Sequence, residues 1–454
     1  MKDLSEKRES FAGSMTAIMA MAGSAVGLGN LWRFPYLMGE NGGATFIAIY
    51  LLLAIFICLP IILVEFIIGR RSQKNIYGAF EVLAPGKPWK LIGICCTLAP
   101  ILVLSFYSVV GGWSINYLLK ALSFSFTGEN SNPEYLSSLF SNFVTDPYKP
   151  LLFHTLFLGM TAVIVAVGVK KGIERFSKIV MPLLFVMIII IVVKAVTLPG
   201  SSAGLNYIFK PDFSKVTSET VLKALGQAFF SLSLGCGTMV TYASYVGRKE
   251  NLLKCSAGTV FFDTIFALLA GCAIMPAVFA YGINPSEGPG LVFVTLPHIF
   301  SQMTAGGPVA IIFFFSLLIA ALTSSISLLE VLTALLTEEL HLKRTWAVVI
   351  SFFLFWILGA ACSLSQGVLS DVLVFGKNIF DLFDYISANI LMLAGGLLLT
   401  IFVGWALGKK VIREELTNDG SLRVPPVLLQ TIVFLIRYVA PAAIIAIFIF
   451  QTIS

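Results

Sequence analysis

Asp263 stands alone in the apolar stretch Phe261-Phe-Asp-Thr-Ile-Phe266. A carboxylate in such surroundings costs several kcal/mol, roughly, unless it is paired, protonated or coordinating a cation. A second polar cluster, Leu322-Thr-Ser-Ser-Ile326, sets three hydroxyls in a row. One such hydroxyl commonly bonds back to its own helix, but three together suit a hard cation, which prefers oxygen ligands. A third candidate is backbone: Gly23-Ser-Ala-Val-Gly-Leu-Gly-Asn30-Leu-Trp-Arg-Phe-Pro35. Gly23, Gly27 and Gly29 each weaken a helix by roughly 1 kcal/mol relative to alanine. Pro35 removes a donor and disfavours helix at Phe34. Gly23–Asn30 therefore reads as an unwound binding segment, with close helix packing through glycine as the alternative. Gly226–Gly237 repeats the pattern, mixing glycines with Gln227, Ser231 and Ser233.

The elements that must position these groups are membrane helices. The chain of 454 residues is 57% hydrophobic and 12% charged, with a mean hydropathy of +0.92, which places it in the polytopic membrane class. Apolar runs near the required length of about 20 residues predict eleven spans, near 12–38, 43–70, 89–124, 151–169, 176–197, 220–242, 252–282, 307–341, 345–362, 378–407 and 426–451. The first run is too long and too rich in glycine for a cleavable signal peptide. Of the 30 lysines and arginines, 21 fall on the side of the N-terminus and 7 on the other, with Arg33 and Arg437 inside spans. This bias predicts a cytoplasmic N-terminus and an extracytoplasmic C-terminus in a cell membrane. The net charge of +6 is then a product of topology rather than a sign of nucleic-acid binding.

Other polar residues within spans admit two readings each. Val103, Tyr107 and Val110 share one helical face, and the tyrosine hydroxyl needs a partner on a neighbouring helix or on a solute. Glu65 reads as an acceptor for the backbone of a broken helix. Gly172 and Pro182 make the inner end of the fifth span a place for opening, or else a static kink. Arg8 either pairs with an acidic group at the inner mouth or is an ordinary inside charge, and Asp381 and Asp384 are rim charges or partners of Arg33. His154, His298 and His341 are far apart, and Cys95-Cys96 lacks ligand spacing, so neither zinc nor haem is expected. An intramembrane hydrolase fails as a reading because no histidine accompanies Asp263 or Thr323-Ser324-Ser325.

The two interrupted spans are first and sixth, corresponding members of two sets of five. Paired interruptions of this kind point to a transport site between inverted repeats. The motifs together resemble the neurotransmitter:sodium symporter family, especially its bacterial amino-acid transporters. The resemblance rests on Gly23–Pro35, Glu65-Phe-Ile-Ile-Gly-Arg70, Lys171-Gly-Ile-Glu-Arg-Phe176, Gly226–Gly237, Thr241-Tyr-Ala-Ser-Tyr245 and Leu322–Ile326. It implies an all-α polytopic fold of two inverted five-helix repeats with broken helices 1 and 6, and one further helix. The corresponding parts are a cytoplasmic segment 1–11, a first repeat 12–197, an outer loop and second repeat 198–407, and an inner loop with helix 11 at 408–454.

The same resemblance implies a sodium-coupled symporter for neutral, hydrophobic amino acids, with no organic cofactor. A substrate carboxylate would meet the amides of Leu28 and Gly29 and the hydroxyl of Tyr107, with Gly27 leaving it space where monoamine carriers have aspartate. The substrate's side chain would lie among Ser24, Val103, Phe230, Ser233, Cys236, Ser324 and Leu328; the small Cys236 leaves room for aromatic ones. One sodium would take Ala25, Asn30, Ser231, Asp263 and the carboxylate, and a second Gly23, Val26, Ala320, Thr323 and Ser324. Asp263 replaces a common asparagine and Ala267 a chloride-associated serine, while Tyr50, Gln227 and Ser231 are kept, so transport independent of chloride is expected. Gating is expected from Arg33 with Asp384 outside, beneath a lid of Tyr107 and Phe230. Inside, it is expected from Arg8 with Glu338, from Phe11 as a plug, and from unwinding of the fifth span at Gly172 and Pro182. A symporter of the same fold for another zwitterion, or a binding-only sensor, are the alternatives.

Overall fold

The computed structural model describes residues 9–126, 132–283 and 288–453. Among them the only β pairing is an isolated bridge between Val374 and Lys377, and the architecture is helical throughout. Nine of the described helices are long and apolar enough to cross a membrane: Ala44–Ser72, Lys90–Leu122, Lys149–Ala166, Val169–Val196, Leu252–Ala280, Gly306–Glu339, Arg344–Leu364, Ile379–Thr417 and Pro426–Phe450. Ser14–Ala25 and Gly29–Glu40 form a bent pair at 52° that passes the same test together. Ser218–Ser231 and Thr238–Ala243 flank a second interruption. Each predicted span falls on one of these elements.

Burial sorts the helices into layers. Gly306–Glu339 is 83% buried over its apolar window, against 33% for Lys149–Ala166 and 39% for Val169–Val196, Arg344–Leu364 and Pro426–Phe450. The first is therefore the central post, and the others present a face to lipid. Leu152, Leu156, Met160 and Val163 are exposed at steps of four, four and three along one helix, as a lipid-facing stripe requires. The bent pair packs against Leu252–Ala280, Gly306–Glu339 and the fifth span, which puts both of its halves in the protein interior.

Two expectations need correction. The first interruption is narrower than Gly23–Asn30: Gly23, Ser24 and Ala25 end the helix Ser14–Ala25, Val26 is extended (φ −71°, ψ 105°), and helix resumes at Gly29. Pro35 also does not break the chain, since Phe34–Glu40 is helical through it. The preceding turn Gly29–Arg33 is a wide π turn in which the Phe34 N–H reaches Gly29 O, and such turns accommodate proline locally. The tenth predicted span, likewise, continues beyond residue 407 after a bend at Gly408 (φ 80°) into the charged helix Gly408–Thr417.

Candidate functional site

Breaking a helix at residues 26–28 frees backbone groups that lipid cannot satisfy. Four backbone groups around the break find a side chain here. The Gly27 N–H donates to Asn30 Oδ1 at 2.9 Å, and the Leu28 N–H to Tyr107 Oη at 3.1 Å. Val26 O accepts from Thr323 Oγ1 at 3.1 Å, and Gly29 O from Gln227 Nε2 at 2.8 Å. The second break, Leu232–Gly237, is held in the same way: Glu65 Oε1 accepts the Gly235 N–H at 2.7 Å, the role read for Glu65 from sequence. Gly235 has φ 72°, and a β-carbon there would stand 1.9 Å from Met392 O. Only glycine serves at that crossing.

Asp263 is fully buried and fully hydrogen-bonded. Its Oδ1 accepts from Asn30 Nδ2 and from Ser231 Oγ, both at 2.8 Å, and its Oδ2 from Tyr50 Oη at 3.2 Å. Thus Asn30, Ser231 and Asp263, from three separate helices, form one oxygen-rich cluster beside the break. A second cluster gathers Val26 O, Ala320 O and the hydroxyls of Thr323 and Ser324. Thr323 Oγ1 also donates to Ala320 O at 2.8 Å, and Ser324 Oγ lies 3.4 Å from Val26 O. Gly23, one turn before Val26, faces Met181 and Ser177 of the fifth span. Both clusters consist of carboxylate, hydroxyl, amide and carbonyl oxygen, a donor set for a hard cation.

Between the clusters lies a small cavity lined by Ser24, Ala25, Gly27, Gly29, Val103, Tyr107, Phe230, Ser231, Ser233, Cys236, Ser324, Leu328 and Met392. Every residue expected around a solute is in that lining except Leu28, which contributes its amide to Tyr107. Met392 is the addition. No spacing rule singles it out, because it is one methionine in an apolar run that reaches the site only through the crossing over Gly235. The cavity is closed down to about 20 Å³, room for about one water. Above it, a second cavity of about 280 Å³ is lined by Trp32, Arg33, Tyr36, Asp381 and Asp384 among others. Phe230 borders both and is the partition between them.

Arg33 and Asp384 line this second cavity without a direct hydrogen bond. The Arg33 guanidinium lies over the Phe230 ring at 4.7 Å, and its Nη1 is buried with no hydrogen-bond partner. On the other side the protein is packed shut. Phe11 is buried edge-on against Tyr242 and Tyr245, ring centroids 6.0 Å away, and its N–H donates to Tyr245 O at 2.9 Å. Arg8 lies outside the described residues; Glu338 accepts from Asn75 N at 2.9 Å and Nδ2 at 3.0 Å. Sequence reasoning missed Glu330, which is fully buried, accepts from Tyr245 Oη at 2.7 Å and pairs with Arg344 at 2.5 Å. The rule that singled out Asp263, an acid inside an apolar helix, would have found it. Gly172 and Pro182 lie in continuous helix from Val169 to Val196.

Comparison with known proteins decides the family. The model of the sodium:neurotransmitter symporter family matches residues 8–145 and 149–454. The chain belongs to that family. It is 40% identical to a sodium-dependent transporter, YhdH, of Bacillus subtilis over 446 residues, covering 98% of this chain and 97% of the relative. A sodium-dependent transporter of Haemophilus influenzae is 39% identical, covering 98% of each chain. The crystal structure of MhsT in complex with L-phenylalanine superposes with a TM-score of 0.90 at 42% identity, covering 97% of this chain and 99% of that one. As a member of the sodium:neurotransmitter symporter family, the protein is a multi-pass, sodium-dependent symporter with the inverted-repeat fold, and its broken helices 1 and 6 are the two interruptions described above.

Proposed function

We propose that this symporter imports neutral, hydrophobic amino acids, aromatic ones included, by sodium-driven alternating access. The observation that carries the reading is the cavity at the two breaks: freed amide at Leu28, a tyrosine hydroxyl, and walls of Val103, Phe230, Cys236 and Leu328 with no full charge. The complex of the similar MhsT with L-phenylalanine supports an aromatic side chain in such a cavity. In this reading the amides of Leu28 and Gly29 and the hydroxyl of Tyr107 hold the carboxylate.

Two sodium ions travel with the solute. The first is held by Ala25 O, Asn30, Ser231, Asp263 and the substrate carboxylate; a half-turn of the Asn30 carboxamide presents its oxygen in place of its nitrogen. The second is held by carbonyls of Gly23, Val26 and Ala320 and the hydroxyls of Thr323 and Ser324. The ligand shared between substrate and first ion couples the two, since each then binds better in the presence of the other. Asp263 supplies a fixed negative charge beside that ion, which makes transport independent of chloride.

Residues 12–197 and 198–407 act as the two inverted halves and 408–454 as an appended helix. In this reading the chain crosses the membrane eleven times, counting the bent first span, the interrupted sixth and the nine long helices, with the N-terminus cytoplasmic and the C-terminus outside. Arg33, Asp384, Tyr107 and Phe230 close the outer path. Arg8, Glu338 and Phe11 close the inner one, and unwinding at Gly172 and Pro182 releases the second sodium. A competition panel of the twenty amino acids against labelled L-phenylalanine, with and without sodium, tests the substrate class. Sodium-dependent competition by leucine, phenylalanine and tryptophan but not by aspartate, lysine or betaine is expected. Competition by betaine alone would mean a symporter for a different zwitterion.

A further inference from the structure

The transport site accounts for neither Arg437, placed inside the last span, nor the large cavity beside it. That cavity, about 810 Å³, opens between the cytoplasmic end of Ile379–Thr417 and the helix Pro426–Phe450. Four cations line it, Lys409, Arg413, Arg423 and Arg437, with no acidic residue, and Leu429 and Val433 form part of an apolar wall. Of the neighbouring acids, Asp419 lines a different cavity with Arg70, Arg71 and Arg248, and two are paired elsewhere. Glu415 pairs with Arg70 at 2.7 Å and Glu414 with Arg71 at 3.1 Å, on the other side of Gly408–Thr417. Lys409 and Arg413, four residues apart, share the cavity side of that helix. Among the described residues none of the four cations takes part in an ion pair.

The backbone is built around Arg437. Both helices widen into π turns at its level, Phe402–Leu407 and Leu435–Val439. A β-carbon at Gly404 would come within 3.2 Å of Arg437 Cγ, so the glycine clears the path of the side chain. The guanidinium lies 4.3 Å from the Trp405 ring centroid, and Nε is buried without a hydrogen-bond partner. Arg437 is eleven residues into a helix that starts at the inner surface, roughly 16 Å at the usual rise. A guanidinium at such depth reaches back toward the headgroups. Four cations without an ion pair in one cleft, one of them reaching back from within the span, joined to an apolar wall, match an anion carrying acyl chains.

We propose that this cleft binds the phosphate headgroup of an anionic phospholipid of the inner leaflet, with an acyl chain along Leu429 and Val433. The assignment rests on the cytoplasmic N-terminus proposed above. The test is native mass spectrometry of the full chain in detergent, offered phosphatidylglycerol, phosphatidylcholine or inorganic phosphate, with sodium-dependent L-phenylalanine binding measured on the same samples. Wild type is expected to retain phosphatidylglycerol about tenfold or more over phosphatidylcholine. The R413Q/R423Q variant should lose that preference while R413K/R423K keeps it, all three binding L-phenylalanine alike. Equal retention of the two lipids by wild type, or an unchanged preference in R413Q/R423Q, overturns the proposal. Displacement of phosphatidylglycerol by millimolar inorganic phosphate overturns the lipid assignment in favour of a free anion. Loss of L-phenylalanine binding in wild type counts against the transport reading instead, and leaves the lipid measurement readable.

Discussion

The hydroxyl of Tyr107 accepts the Leu28 N–H at 3.1 Å, joining the third span to a backbone donor freed by the break in span one. In the proposed complex that pair receives the solute carboxylate. Replacing Tyr107 by phenylalanine removes one hydrogen bond to a charged group, about 1.5–3 kcal/mol. Y107F should therefore raise the Kd for L-phenylalanine by roughly 10- to 100-fold, measured by sodium-dependent equilibrium binding, with thermal stability close to wild type. An unchanged Kd would remove Tyr107 from the substrate site.

Gly27 faces the same space. A β-carbon there would lie 2.2 Å from Ser324 Oγ and 2.7 Å from Tyr107 Oη, so any side chain must push both aside and occupy the carboxylate position. Overpacking of this sort costs about 1–3 kcal/mol. G27A is expected to weaken amino-acid binding by about tenfold or more and G27D to abolish it, as read by scintillation proximity binding on folded, monodisperse protein. Retention of wild-type affinity by G27D would place the carboxylate elsewhere.

Asp263 gathers Asn30, Ser231 and Tyr50 on its two oxygens. D263N keeps the shape and deletes the charge. Half-saturation by sodium should rise about tenfold or more, from loss of a full carboxylate ligand. Chloride is expected to be inert for wild type and to restore uptake of the variant partly over gluconate. A strict chloride requirement in wild type would contradict the role given to Asp263.

Away from the cavity, at the side proposed to face inward, Glu330 bridges Tyr245 and Arg344. Removing either charge leaves the other without its partner, which is more damaging than removing both. A double-mutant cycle of E330Q and R344Q, read by thermal unfolding in detergent, should give a coupling of about 1–3 kcal/mol. Single variants should also label faster at a cysteine introduced on the inner path. Additive effects would show that the two side chains act separately.

Much of the site is legible in the amino-acid sequence alone. The breaks at Gly27 and at Gly235, Asp263 and the hydroxyl row from Thr323 follow from one rule, that polar and flexible residues in lipid-spanning helices need a reason; the lining of the cavity follows only from the resemblance to the family. What escaped depends on register between distant helices. Met392 carries no polar side-chain group to flag it, and reaches the site because its carbonyl meets Gly235. Pro35 signals a helix end by local chemistry, yet the π turn at Gly29–Arg33 absorbs it. Arg33 and Asp384 line one cavity without the direct pairing expected of them, and the guanidinium lies over Phe230, a cation–π contact that no spacing reveals. Gly408, a bend of positive φ, is what lets Gly408–Thr417 carry its charges past the predicted end of the tenth span.

The most direct test of sodium-coupled amino-acid transport is uptake of labelled L-phenylalanine by proteoliposomes of the purified protein under an inward sodium gradient, with an equal potassium gradient as control. Accumulation above the external concentration with sodium only, collapsed by a sodium ionophore, is the expected result. Sodium-dependent binding with no accumulation and no counterflow would contradict it and leave a sensor in its place.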